Sequence, residues 1–326
     1  MKKYELTNVT KTVNEKTLHR IRALKDFSDV KKGDLGGWIE KESNLSQDGN
    51  AWVYKEACVH GNAKILDNAK ISEKAIISDN AHVYGNAEIT DNAIISNNAY
   101  VHGNAIIYDN VKISGEARVY GNASVYGNAW VYKRACVNGN AKIFDNARIY
   151  GKAIVSGKAH VFGNAEVINN AIVSNNAYIS GEAIIYDNAK ISGEARVYGN
   201  AKISGEARVY SKASVYGNAE VCGDACVYGN ANISDKHIVG KVSLLYKDIF
   251  QHQCKNGVLT AILTKNDKIL YTIGCQRNIT EEEFLFRIHN TDGGLEANPH
   301  RKEYLKLIKC IKLYFKKGEI KHYENY

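Results

Sequence analysis

From residue 51 onward, apolar and polar positions recur on a beat of six. Stepping by six from Ala51 to Ala231 gives 31 positions, of which 30 are alanine and one is Val111. Two residues after each of them, from Val53 to Ile233, all 31 positions are Val or Ile. A helix would need a period near 3.6, so six excludes one. Ala-x-Val/Ile alternates with period two, which predicts a very short strand with both apolar residues on one face. The two residues before each alanine are turn formers: Gly at 18 of the 31 first positions and Asn at 20 of the 31 second ones. Both tolerate left-handed backbone. A strand this short buries nothing alone. Stacked in a parallel coil, it pairs its backbone with the coils above and below and sends its Val/Ile columns to the axis. Three units make an eighteen-residue turn. The 31 units predict about ten coils, roughly 50 Å long at ~4.8 Å per coil.

The phrase Val119-Tyr120-Gly121-Asn122-Ala123-Ser124 resembles the aliphatic-x-x-x-small-x hexapeptide of the left-handed parallel β-helix. The resemblance implies a mainly β fold, a triangular section and a left hand. The opening of the chain carries a second one. Arg20–Leu24, Asp26, Phe27, Val30, Gly33–Ile39, Asn44–Ser46 and Gly49–Val53 spell RIRAL, DF, V, GDLGGWI, NLS and GNAWV. This resembles the opening of an uncharacterised group of phage, prophage and bacterial hexapeptide proteins.

Three regions are expected: an N-terminal β cap (1–48), the β-helix (49–236) and a small C-terminal α+β domain (237–326). In the cap, TLHRIRAL reads as a strand. In the C-terminal domain, KDIFQHQC, GVLTAILT and KILYTIG alternate like three antiparallel strands. Thr280 with Glu283 forms a capping-box pattern, and Pro299 opens a helix over about 298–316. That helix places Tyr304, Leu307, Ile308, Ile311, Tyr314 and Phe315 on one side, and Lys302, Lys306, Lys309 and Lys316 on the other.

Composition adds little to this. The formal net charge is +8. Counted along the sequence, residues 49–235 are neutral (17 basic, 17 acidic) and residues 236–326 carry +6 (16 basic, 10 acidic). There is no apolar leader and no ~20-residue apolar run, so a cytoplasmic location without membrane contact is expected. Seven cysteines without a CxxC pair argue against a disulfide framework.

The β-helix also repeats at 78 residues: 51–128 and 129–206 share 56 identities in 78. Seventy-eight residues are four and one-third coils. The second copy is therefore turned by a third of a revolution and raised by about 21 Å. Outward positions lie between each alanine and its aliphatic partner. There Ile76 and Ile94 stack on one face, with Cys58 below and Trp130 above. Their copies Ile154 and Ile172 stack on another, near Cys136 and Tyr100. With Tyr178, these residues form a candidate contact or ligand surface, because a strand facing water does not need isoleucine. A homo-oligomer, trimer or dimer, is the expected use. Tyr108, Tyr126, Phe144 and Phe162 form an aromatic column at intervals of 18.

Three chemistries were weighed on these residues. Many hexapeptide β-helices are acyl-CoA-dependent transferases, and that resemblance implies a trimer with a histidine general base at a cleft between shafts. The weak candidates are His82 and its copy His160, both outward, with His60 and His102 also expected outward. Such enzymes extrude a loop to close the cleft, and the unbroken beat leaves none. Zinc at His252, Cys254, Cys275, His289 and His300 lacks a zinc-like spacing, so no metal and no cofactor is expected, acyl-CoA entering only with the transferase. The glycines of Gly33–Gly37 and Asp292–Gly294 match no phosphate-binding fingerprint and read as turns. The main expectation is thus a non-catalytic, rigid binding or scaffold protein of phage or prophage type, acting against host defence by sequestering a ligand or a protein partner. The alternatives are an acyltransferase and a nucleic-acid binder using Lys302, Lys306 and Lys309.

Overall fold

The structure is a computed structural model, and it describes residues 2–223, 225–234, 238–239, 246–254, 257–264, 268–273, 276–289 and 304–313. Its hexads wind as a parallel β-solenoid of three sheets. Each unit contributes one two-residue strand and pairs with the strand eighteen residues on, as in Ile76 with Ile94 and Lys142 with His160. Face 1 starts at Trp52–Val53, face 2 at Cys58–Val59 and face 3 at Lys64–Ile65. They hold 11, 11 and 10 such strands. The coil thus runs to about eleven turns rather than ten, because Ile238–Val239 adds a strand beyond the regular beat.

Every hexad alanine and every Val/Ile from Ala51 to Ile233 is at most 1% exposed. The axis is therefore dry and aliphatic from end to end. The corners need left-handed backbone, and each supplies it: Gly121 has φ +75°, and Asp145 and Asn175 occupy equivalent corners at +56° and +58°. Acidic corners gain a further bond, since the carboxylates of Asp67 and Asp79 accept the amides of Gly85 and Asn97 in the next coil, both at 2.9 Å. The asparagines that follow form ladders. From Asn50 through Asn68, Asn86, Asn104 and Asn122 to Asn140, each Nδ2 donates to the next Oδ1 at 2.9–3.1 Å. Such ladders reinforce the stacking along the axis.

The N-terminal cap is a hairpin laid on the end of face 2. Strand β1 (Tyr4–Val13) pairs antiparallel with β2 (Lys16–Ala23), and β2 pairs with β3 (Leu35–Ile39). Strand β3 then pairs in parallel with Cys58–Val59 and so converts hairpin into coil. Strand β1 is an addition to the sequence reading. Of Gly33, Gly36 and Gly37, only Gly33 has a positive φ, +98°, and Asp292–Gly294 lie outside the described residues. Gly36 and Gly37 lie inside β3, where a Cβ would sit 2.6 Å from Ile21 and the Val53 carbonyl, and 2.6 Å from the Val53 side chain. They are small because strands meet there. The first coil's open carbonyls are answered by the cap. Asn44 Nδ2 donates to Gly61 and Ala63, and the buried Lys3 Nζ donates to Asp48, Gly49 and Ala51.

At the other end, four antiparallel strands (Tyr246–Cys254, Gly257–Thr264, Ile269–Ile273 and Gln276–Ile279) precede helix α1 (Glu281–His289). The fourth strand is one more than the alternation predicts. Ile262 joins the solenoid's core, so this sheet covers the far end of the axis. Thr280 and Glu283 make the reciprocal capping bonds that their spacing predicts. Residues 304–313 are helical, with Tyr304, Leu307, Ile308 and Ile311 buried against Tyr271 and Phe284.

Candidate functional site

An outward side chain in a solenoid has its nearest outward neighbours directly above and below it, one ~4.8 Å step away. Reading each face as a column shows what the structure brings together. On face 3 the column runs Lys64, His82, Tyr100, Arg118. On face 1 it runs Lys142, His160, Tyr178, Arg196. The second is the 78-residue copy of the first, carried round to the next face.

In both columns the imidazole is sheltered by the tyrosine above it. His160 and Tyr178 stack with ring centroids 4.8 Å apart and planes 3° apart. His82 and Tyr100 are 5.1 Å apart and tilted by 48°. Arg118 and Arg196 close the columns over the other side of the tyrosines, at 5.9 and 6.0 Å from the ring centroids. Burial pushes both histidines below the ordinary value of 6.5, and the ammonium one coil below, Lys64 or Lys142, pushes the same way. For His160 the Lys158 carbonyl opposes this. Its Nδ1 is buried without a well-formed hydrogen bond, which leaves Nε2 as the nitrogen open to a substrate. At neutral pH both rings are uncharged and carry the lone pair that a general base needs.

The flanks of the columns differ. Beside face 3 the corner column is Tyr84, His102, Tyr120, stacked at 4.6 and 4.9 Å. Beside face 1 it is Phe144 and Phe162, the top of the predicted Tyr108–Phe162 ladder, stacked at 4.7–5.0 Å. On the opposite flank of each column lies a shallow groove. One, of about 620 Å³, includes Asn98, Glu116 and Arg134. The other, of about 680 Å³, includes their copies Asn176, Glu194 and Lys212.

His60 departs from expectation. It is buried, not outward, because the cap folds over it and brings Glu40 close. The apolar stacks are real, but their settings differ. Ile76 on face 2 is half-buried against a cluster of Leu18, Trp38 and Cys58, two of which belong to the chain's own cap. Ile94 above it is half-buried. Their copies Ile154 and Ile172 pair on face 3 above Cys136, with Ile154 exposed. Trp130 on face 2 is exposed but flanked by cations, Lys112 Nζ at 4.8 Å and Arg148 at 5.7 Å from its ring. Lys306 and Lys309 are exposed on the last helix, and Lys302 lies outside the described residues. Of the zinc candidates, Cys275 and His300 also lie outside them, as do the side chains of His252, Cys254 and His289. No cluster of metal-ligating side chains occurs among the described residues.

Comparison with known proteins agrees on the repeat. The family described as YdcK beta-solenoid repeat matches residues 117–133 and 141–157. The chain is a hexapeptide-repeat β-solenoid. A curated relative of this solenoid, the "Uncharacterized acetyltransferase YdcK" of Escherichia coli (strain K12), is 44% identical over 54 residues. That stretch is 16% of this chain and 17% of the relative, so the solenoid matches about one-sixth of the relative's length. A solved structure of LpxA from Acinetobacter baumannii aligns over 60% of the chain and 71% of its own, at 12% identity and a TM-score of 0.21.

The relative's name corrects one expectation. A relative named as an acetyltransferase counts against the expected non-catalytic scaffold directed at host defence and sides with the alternative, the acyltransferase that the hexapeptide resemblance implies. The missing loop is what speaks against that alternative in the sequence. Between 51 and 223 the beat indeed continues unbroken. Among the described residues no helix is long and apolar enough to cross a membrane.

Proposed function

We propose that the solenoid is a CoA-dependent acyltransferase in which His82 and His160 are general bases. The observation that carries this reading is the repeated outward imidazole, uncharged at neutral pH and held by a tyrosine one coil above. The relative named as an acetyltransferase supports it from outside the chain.

The acyl thioester is a substrate that supplies the activated acyl group. The chain's part is to take a proton and to hold the acceptor. With Nδ1 turned inward, Nε2 of His160 accepts the proton of an acceptor hydroxyl or amine as that atom attacks the thioester carbonyl; the C–S bond then breaks and the departing CoA thiolate takes up the proton from the imidazolium. The tyrosine fixes the ring plane, which holds the lone pair in one direction. A flat sheet face supplies only one wall, so the second wall would come from another copy of the chain in a homo-oligomer.

The test is release of CoA thiol from acetyl-CoA in the presence of an acceptor panel. Turnover should survive in His82→Gln and in His160→Gln at about half the wild-type rate. It should fall by roughly 10²–10⁴ in the double variant, the usual contribution of a general base. Acceptor-dependent turnover that the double variant retains in full would refute the assignment.

A further inference from the structure

We infer that each column binds an anionic acceptor, a phosphate- or carboxylate-bearing small molecule, so that one chain carries two such sites. The inference deepens the acyltransferase reading and rests on it for the word acceptor.

Both columns are basic at each end and neutral in the middle. Lys64 and Lys142 lie one coil below the histidine, and Arg118 and Arg196 lie two coils above it. All four cations are exposed, and none pairs with a carboxylate among the described residues. The nearby acids are partly committed elsewhere. Asp79 accepts the Asn97 amide, and Glu116 pairs with Arg134 at 2.9 Å. Glu194 is the carboxylate left beside the second column, and Lys158 and Lys212 lie in the same groove. The surface within reach of each histidine therefore favours negative charge.

Distance favours the acceptor over the acyl donor. The cations stand about 5 Å and about 10 Å from the imidazole along the column. An acceptor must place its nucleophilic atom at the base, so its own phosphate or carboxylate falls within this span. The phosphates of an acyl-CoA are separated from the thioester by the whole pantetheine arm. An arginine that is planar and already oriented over a tyrosine ring suits bidentate capture of such a group.

Inorganic pyrophosphate is the probe, followed by calorimetry on the full chain at low salt. Two equivalents per chain should bind. The exposed pair Lys64→Gln/Arg118→Gln should leave one site, Lys142→Gln/Arg196→Gln the other, and the quadruple variant at least about tenfold weaker binding. Unchanged circular dichroism in each variant would keep folding out of the result. Binding of fewer than two equivalents by the wild type, or two equivalents retained in the quadruple variant, would overturn the inference. A saturating acetyl-CoA analogue should leave pyrophosphate bound, and displacement would assign the anion to the donor and overturn the acceptor reading. A chain that binds pyrophosphate at both columns but never turns over acetyl-CoA would sink the acyltransferase alone. One that turns over acetyl-CoA and ignores pyrophosphate would sink only the anion sites.

Discussion

Lys3 offers a quantitative test of how the cap holds the first coil. Its ammonium is fully buried, donates to the carbonyls of Asp48, Gly49 and Ala51, and lies 5.2 Å from the Phe27 ring centroid. Burial, helped by the charge of Lys25 and opposed by that of Asp48, lowers its pKa from 10.5 to about 8. That difference is worth about 3 kcal/mol. The folded chain gives up this proton more readily than the unfolded chain, so stability rises with pH between about 8 and 10.5. Below about pH 8 the full penalty applies. Integrated between pH 7.5 and 9.5, the gain comes to about 2 kcal/mol. Lys3→Met has no such proton, and its stability should lack this rise. Urea titrations of both proteins at pH 7.5, 8.5 and 9.5 would measure the divergence. Trp38 in the cap and Trp52 in the first coil beneath it supply the fluorescence signal, and a Trp130→Phe background removes the chain's third tryptophan. Trp52 suits this because its ring contacts Tyr4 and Phe27 at 6.1 and 5.3 Å. The other titrating groups are common to both proteins and cancel in the difference. Two curves that stay parallel within about 0.5 kcal/mol across this range would mean that Lys3 is not a buried ammonium.

Other consequences follow from the same geometry. If His82 and His160 are the bases, kcat/KM should rise to a plateau with an apparent pKa below 6.5, because burial and then Lys64 or Lys142 lower both; Lys64→Gln with Lys142→Gln should move the rise toward higher pH. Ile143→Asp puts an unpaired carboxylate on an axis where Ile143 is fully buried, and should abolish soluble expression, whereas Ile143→Val should cost about 0.5–1.5 kcal/mol. At Gly121, φ is +75° and a Cβ would sit 3.0 Å from the Gly139 nitrogen and oxygen, so Gly121→Val should cost about 2–4 kcal/mol in strain and crowding. Gly121→Asn should cost less than half of that by thermal denaturation, since Asn175 already holds the same corner three coils on, and Asn97 an equivalent one, both at φ +58°.

What the sequence disclosed was decided by period. The alanine and Val/Ile positions from Ala51 to Ile233 could be assigned inward one by one, because a six-residue cycle leaves no ambiguity of phase and the axis admits only small and aliphatic groups. Strand β1 escaped because its alternation is broken by a register shift between Leu6 and Thr10, and its turn uses Asn14 and Glu15 at φ +48° and +62° without a glycine. Gln276–Ile279 is short and mostly polar, so it carries no alternation to read. Gly36 and Gly37 looked like turn residues because sequence shows a missing side chain but not the Val53 backbone that requires it. The histidines were found by type. The cations that complete their columns lie eighteen residues before each histidine and thirty-six after it, and they emerge only when positions are read by coil. Ile76 lies at an outward position, but nothing local foretells that Leu18 and Trp38 of the cap pack beside it.

The duplication copied the columns faithfully and their surroundings loosely. Tyr84, His102 and Tyr120 flank the first column, and the corresponding residues beside the second are Phe162, Ser180 and Tyr198. The first flank offers hydroxyl and imidazole groups at every coil. The second has lost the hydroxyl at its base and the ring at its middle. A polar group buried at an interface must be hydrogen-bonded or it weakens the contact, so the two sites would not select the same acceptor. The hairpin constrains the problem further. It covers the lower part of face 2 and, through Tyr4, the foot of face 1 at Trp52, well below Lys142 where the second column begins. Rotation by a third of a turn thus has a chemical consequence. It sets two columns with the same histidine and the same pair of charges against different walls, and a rigid aliphatic axis fixes their offset along the axis at about 21 Å.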